Sequence, residues 1–270
     1  MMRLSASINF FNGEELLWQA VANIRPLVEH LSIVYQKVSN WGEEITPDAE
    51  KLIERLNQSG LVDDFYCYKP RVELSAAENE FEKRRIGLNL AIANQATHFL
   101  LMDADEFYLP DQFTRAKQLI EDKNIAYSCV RSYFYIHKST YRSELPDTTN
   151  VCFIAKIDSD LTFDYHGLFP VNNVDPTRRL TYKEGKFYFF DEDEVCMHHM
   201  NFVRNNFKSK LKNTSSATNL DFIEQAKSAI ERWQYPLIFV FPNKPPYKII
   251  KVADVFNLTS VKYLPHQYER

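Results

Sequence analysis

The first hundred or so residues alternate strand-like and helix-like stretches, and no other feature narrows the possible folds as far. Leu4 to Phe11 alternates apolar with small polar side chains, as a strand does, and Asn12-Gly13 ends it. Glu14 to His30 then spaces Leu17, Val21, Ile24 and Val28 three or four apart, which predicts a helix. Leu31 to Lys37 is β-rich and runs into the turn Ser39-Asn40-Trp41-Gly42. A second helix is expected from Pro47 to Gln58, because Pro suits a first helical position, acids suit the first turn and Gly60 follows as a stop. Asp64 to Tyr68 reads as a strand, Phe81 to Thr97 as a helix and His98 to Met102 as a short apolar strand. Such a series pairs its strands in parallel and places helices on both faces, so the expected class is α/β with a mostly parallel central sheet. Ligands of such sheets bind beyond the carboxyl ends of the strands. The polar exits Asn9–Asn12, Ser39–Trp41 and Asp103–Glu106 are therefore expected along one edge.

The second half is less regular. Strands are expected at Tyr127 to His137, Val151 to Ile157 and Lys186 to Phe190, and helices at Arg204 to Leu211 and Leu220 to Arg232. Prolines crowd the end, at Pro236, Pro242, Pro245, Pro246 and Pro265. One domain over residues 1–232, with an extended C-terminal arm over 233–270, accounts for the whole.

Composition excludes several functions. There are six glycines, and the closest pairs, Gly42/Gly60 and Gly167/Gly185, stand 18 positions apart. That spacing rules out both a G-x-G-x-x-G dinucleotide turn and a G-x-x-x-x-G-K phosphate loop. A nucleotide bound here must have its phosphate charge met by something other than a glycine cradle. The net charge of −4 gives no basic field for nucleic acid. No apolar run approaches the ~18 residues of a membrane span, which leaves peripheral membrane contact open. The start lacks the apolar core of a secretory leader. Cys67, Cys129, Cys152 and Cys196 form no C-x-x-C pair and read as reduced, mostly buried thiols of a cytoplasmic protein.

The densest chemical signal is Met102-Asp103-Ala104-Asp105-Glu106-Phe107, acids leaving an apolar strand together. Buried carboxylates are costly unless a cation serves them, and a hard divalent ion would do so while leaving positions for phosphate oxygens. The plain alternative is that Asp105 and Glu106 cap the next turn. A second signal, Cys196-Met-His198-His199, offers a neutral imidazole ligand, or else a hydrogen-bonded structural histidine. With Asp103 and Asp105 it makes a mixed carboxylate and imidazole metal site conceivable. Arg204, Lys208, Lys210 and Lys212 then line up on a helix that either meets a diphosphate or faces solvent. Lys83-Arg84-Arg85 opens the helix that feeds the Asp103 strand, and at least one of them is expected at the ligand edge.

With these blocks in view, the chain resembles the family-2-like glycosyltransferases of the GT-A fold, in the subgroup with an Asp-x-Asp-Glu-Phe motif. The likeness is carried by Phe11-Asn12-Gly13-Glu14-Glu15, by Lys83-Arg84 with Gly87-Leu88 and the Asp103 block, and by His199-Met-Asn-Phe-Val-Arg204 with Lys210-Leu211. The resemblance implies a nucleotide-binding part over about residues 1–110 and an acceptor and metal-histidine part over about 111–232. It implies a nucleotide-sugar donor, UDP-linked, and a carbohydrate acceptor, with Mn²⁺ or Mg²⁺ bridging Asp105 and the diphosphate. Asp103 would contact the ribose or the metal's water shell, and His199 would complete the coordination. Phe11, Asn12, Gln36, Ser39 and Asn40 would hold base and ribose, and Lys83 and Arg84 the donor. Trp41 stacks on a base or sugar in this reading, or packs in the core. The second strand departs from the family's usual acidic ending, since Lys37-Val-Ser-Asn-Trp stands there. An inverting enzyme also needs a carboxylate base, for which Asp191 and Asp193 are the expected residues, although a run of four acids also reads as a solvated loop. Nucleotidyl transfer and plain carbohydrate binding on the same fold are the alternatives, and the missing glycine loop counts against the first.

Overall fold

The two sides of the first strand, β1 (Leu4–Phe10), are both buried but differ in kind. Leu4, Ala6, Ile8 and Phe10 join the main apolar cluster, while Ser5, Ser7 and Asn9 take the opposite face, as period-two geometry requires. In this computed structural model, residues 1–259 are described apart from 72, 165–166, 168, 214–218 and 242–243. After β1 come α1 (Glu14–Ile24), β2 (His30–Gln36), α2 (Pro47–Ser59), β3 (Asp64–Tyr68), α3 (Ala76–Ala93) and β4 (His98–Asp103). Next are β5 (Glu106–Phe107), α4 (Pro110–Asp122), β6 (Tyr127–Val130), β7 (Ser132–Ile136), β8 (Tyr141–Ser143) and β9 (Val151–Lys156). The chain ends with β10 (Phe187–Phe189), β11 (Met197–Phe202), α5 (Phe207–Asn213), α6 (Leu220–Glu231), β12 (Ile238–Val240) and β13 (Pro246–Lys251).

One sheet runs β10-β6-β9-β4-β1-β2-β3 and a second β12-β13-β8-β7-β11-β5. Strands β4, β1, β2 and β3 are mutually parallel, and β9 is antiparallel to β4 and β6. The expected α/β class with a mostly parallel sheet therefore holds. Leu17 of α1, Leu52 of α2 and Phe113 of α4 pack on one face. On the other, Phe81, Leu88 and Ala91 of α3 meet Phe99 and Leu101 of β4. Helix α3 lies so close to β1 that a Cβ at Gly87 would fall 2.2 Å from Ser7 Oγ.

Element boundaries differ from expectation where local signals were weak. The helix expected to reach His30 stops at Ile24, because Pro26 turns the chain through a short 3-10 turn (Arg25–Leu27) and His30 already belongs to β2. Helix α3 starts at Ala76 rather than Phe81, held by a capping box between Ser75 and Glu78. The single strand expected over Tyr127 to His137 breaks at Arg131 into β6 and β7, which serve different sheets. Helix α4 and strand β11 were not foreseen. The C-terminal stretch joins the second sheet, where β13 pairs β8 and β12 pairs β13; residues 260–270 of the expected arm, Pro265 among them, and Pro242 lie outside the described residues. Among the described residues no helix is long and apolar enough to cross a membrane.

Candidate active site

Because β1, β2 and β4 run parallel, their carboxyl ends share an edge, and that edge opens into a cleft of about 440 Å³. All of Phe11, Asn12, Gln36, Ser39, Asn40, Lys83, Arg84, Asp103, Asp105 and His199 line it. Trp41 does not line it and stands 44% exposed. Asp191 and Asp193 do not line it either. They sit in a turn where the Asp191 backbone N–H donates to Glu194 Oε2 at 2.9 Å and Gln112 Nε2 donates to the Asp193 carbonyl at 3.1 Å.

Asp105 is 2% exposed and carries its counter-charges on one oxygen. Arg204 and Lys210 (3.0 Å) both reach Oδ2, while Oδ1 faces His199 Nε2 at 3.4 Å. Burial opposes a charge on Asp105, but Lys210, Arg204 and His199 outweigh it and hold its carboxyl well below the usual range. Gly13 explains how Arg204 gets there. Its φ of +96° suits glycine, and a Cβ at that position would lie 1.7 Å from an Arg204 nitrogen.

Asp103 and Glu106 share a second cation, Arg178, which comes from a 3-10 turn (Pro176–Arg178). Its guanidinium forks onto Glu106, with Nη1 donating to Oε2 at 2.9 Å and Nη2 to Oε1, and Nη2 also reaches Asp103 Oδ2. Arg84 Nη2 lies 3.9 Å from Asp103 Oδ1. Burial raises the Asp103 carboxyl, yet Arg178 and Arg84 together bring it down to about 2. Burial pushes Glu106 up, against the pull of Arg178.

At the end of β2 the polar groups satisfy one another. Lys83 Nζ donates to Gln36 Oε1 (2.5 Å) and Glu80 Oε1 (2.7 Å), Gln36 donates to Asn40 Oδ1 (2.8 Å), and Asn40 donates to Glu80 (3.1 Å). Elsewhere in the cleft wall, buried polar atoms lack protein partners: Nε and Nη1 of Arg84, Nε and Nη1 of Arg204, and both amide atoms of Asn9. Unmatched guanidinium N–H groups beside a cleft suit an anionic ligand.

Alternation along β11 separates the paired histidines. His199 lines the cleft with Met197 and Asn201, whereas His198 is buried, 2.7 Å from the Tyr135 hydroxyl and edge-on to Phe256. Burial lowers the His198 imidazole to about 4. A divalent cation fits Asp105 with His199 rather than a full protein cage. Among the described residues no three His, Cys, Asp or Glu side chains group around one point, and Asp103 has Oδ2 taken by Arg178. The 3.4 Å between Asp105 Oδ1 and His199 Nε2 is near the ~3 Å separating adjacent ligands whose bonds are about 2.0–2.2 Å long. The remaining positions would fall to phosphate and water oxygens, the usual arrangement for Mg²⁺ at phosphates.

Sequence reasoning placed Asn9 at the ligand edge, where it stands, but missed Arg178, which had only the turn signal Asp175-Pro176 before it.

No family model and no curated protein matches the sequence. Solved structures resemble it in part. A Staphylococcus aureus TarS structure (residues 1–349) superposes with a TM-score of 0.46 at 9% identity, covering 86% of this chain and 73% of that one. A structure of GalNAc-T7 with UDP, GalNAc and Mn²⁺ gives 0.47 at 12% identity, covering 87% of this chain and 52% of that one. A longer S. aureus TarS structure gives 0.36 at 12% identity over 49% of this chain, which spans 22% of it.

Proposed function

We propose that this chain is a metal-dependent glycosyltransferase of the GT-A type, moving a sugar from a nucleotide-diphosphate donor, UDP-linked, to an acceptor hydroxyl. One observation carries the reading. Asp105 lies at the carboxyl edge of the parallel strands between His199 on one oxygen and Arg204 with Lys210 on the other. Asp105 and His199 would hold Mn²⁺ or Mg²⁺, which when bound supplies positive charge to the leaving diphosphate.

The chain's own residues do the rest. Arg204 and Arg84 line the cleft with their guanidinium charge, where it would face the phosphates of a bound diphosphate. Charge that develops on the leaving group is stabilised by donors already in place. Lys210 keeps Asp105 ionised. Asp103, oriented by Arg178 and Arg84, is assigned to the ribose or to the metal's water. Phe11, Asn12, Ser39 and the Gln36–Asn40–Lys83 network line the base and ribose end. For the acceptor proton, Asp147 and Asp175 line the cleft and Asp191 and Asp193 do not, so the base is sought first among the former. Four free thiols support a cytoplasmic setting.

The decisive experiment is a thermal-shift and calorimetric panel of nucleotide diphosphates and nucleotide sugars, each with Mn²⁺ and with EDTA. A shift for UDP or a UDP-sugar that EDTA removes is expected, and Asp105→Asn is expected to weaken that binding at least 100-fold. Equal binding in EDTA, or undiminished binding by the folded variant, overturns the metal role. No shift with any nucleotide overturns the transferase reading.

A further inference from the structure

Helix α5 brings Lys210 to Asp105, yet it has only seven residues, too few to hold a helix by backbone bonds alone. Its place is set from outside. Phe207 and Leu211, one turn apart, sit in the apolar cluster of the second sheet. Two contacts on one line along the axis fix the height of the helix and leave its roll to something else. Asn213 opposes the roll. Its Nδ2 donates to Glu43 Oε2, and Lys212 Nζ stands 3.6 Å from the same oxygen. That amide nitrogen also donates to the Ser209 carbonyl at 2.9 Å, so Asn213 is tied to its own helix as well as to Glu43.

Glu43 is held in turn. It belongs to a closed loop between β2 and α2, where the Ser39 N–H donates to the Glu43 carbonyl at 2.7 Å. The Ser39 hydroxyl accepts from the Trp41 and Glu43 N–H groups at 3.1 and 3.0 Å. Ser39 and Asn40 of that loop line the cleft beside Gln36 and Lys83, while Lys210 lines it beside Asp105. The clasp thus joins two sides of the cleft through residues 170 positions apart.

Resting on the transferase reading, we infer that Glu43 is a positioning residue for the diphosphate: through Asn213 it sets the roll of α5 and so aims Lys210 into the cleft. Lys210 and Asn213 are three positions apart and share a side of the helix, so turning one moves the other. Charge is the minor part, since the Lys212 side chain is 66% exposed and a pair of that kind is weak. The acceptor oxygen is what matters, and a glutamine has one too.

The test uses the whole chain with Mg²⁺ and three probes: inorganic pyrophosphate, UDP and uridine. Glu43→Ala is expected to weaken pyrophosphate and UDP about tenfold by calorimetry and to leave uridine, followed by saturation-transfer NMR, unchanged. Glu43→Gln is expected to stay within about threefold of wild type. Lys210→Met alone is expected to cost about tenfold, and in the Glu43→Ala chain less than about threefold more, because the clasp acts through that lysine. Wild-type pyrophosphate binding by Glu43→Ala, a parallel fall in uridine, no rescue by Glu43→Gln, or losses that multiply in the double variant overturns the assignment. Pyrophosphate binding that depends on Glu43 in a chain that takes neither UDP nor uridine strikes the transferase reading instead, and leaves the positioning role standing. Binding of no probe overturns both.

Discussion

Arg178 serves two acids with one guanidinium, and its own burial at 3% exposure makes that arrangement expensive to disturb. Arg178→Met removes the positive partner and leaves Glu106 and Asp103 uncompensated, a loss expected at about 3–5 kcal/mol. Arg178→Lys keeps the charge without the planar fork and is expected to cost less, about 1–2 kcal/mol. Urea unfolding of both variants gives the answer, and equal losses would mean that charge alone matters. His198 titrates in the opposite sense to a paired histidine. Burial holds its folded value to about 4, below the ordinary 6.5, so neutral His198 contributes stability that is complete above pH 6.5. That stability is lost as pH falls toward and through 4. The loss between pH 7 and pH 4 is about 3 kcal/mol from this group. His198→Gln is expected to remove that share from the pH dependence of the urea midpoint; an unchanged difference between the two pH values would exclude it.

Helix α3 brings Lys83 and Arg84 to the cleft, and its contact with β1 at Gly87 fixes its height above the sheet. Alanine there gains up to about 1 kcal/mol of helix propensity, but its Cβ meets Ser7 Oγ at 2.2 Å and Ser7 Cβ at 2.7 Å. Overpacking of this kind costs about 1–3 kcal/mol. Gly87→Ala is therefore expected to lower the urea midpoint, and Ser7→Gly in the same chain to restore part of it, a coupling that a double-mutant cycle measures. The same helix shows what was legible beforehand. Its start was misjudged because it buries Asn79, Lys83 and Arg84 on the face toward the sheet, so its polar residues hid the periodicity that marks most helices. Strands β2 and β4 were legible as short β-rich or apolar runs, β1 by its alternation of apolar with small polar residues, and β3, partly exposed at the sheet's edge, by its aromatic residues. Strand β11 was not, since the adjacent histidines in its sequence Met-His-His-Met-Asn-Phe break the two-residue alternation that marks a strand. The convergence of the polar exits followed from parallel order alone, but the counter-ions from the second half followed from nothing local.

At the scale of the whole chain, the cleft joins two sheets, with Asp103 on one and His199 on the other. A ligand spanning both stabilises the folded state by mass action. UDP with Mn²⁺ at a hundredfold excess over its dissociation constant is expected to add about 2.7 kcal/mol. For a chain of this size that is a rise in Tm of about 5–10 °C, and a shift below 1 °C under those conditions would exclude such a bridge. The ion pairs of the cleft have a further consequence in time rather than in space. Asp105 precedes Arg204 by 99 residues and Lys210 by 105, and Glu106 precedes Arg178 by 72. During synthesis at about 5–20 residues per second, Asp105 leaves the ribosome some 5–20 seconds before Lys210. Over that interval the nascent first half holds its acids without these partners, so this edge of the cleft closes only once about three quarters of the polypeptide has been made.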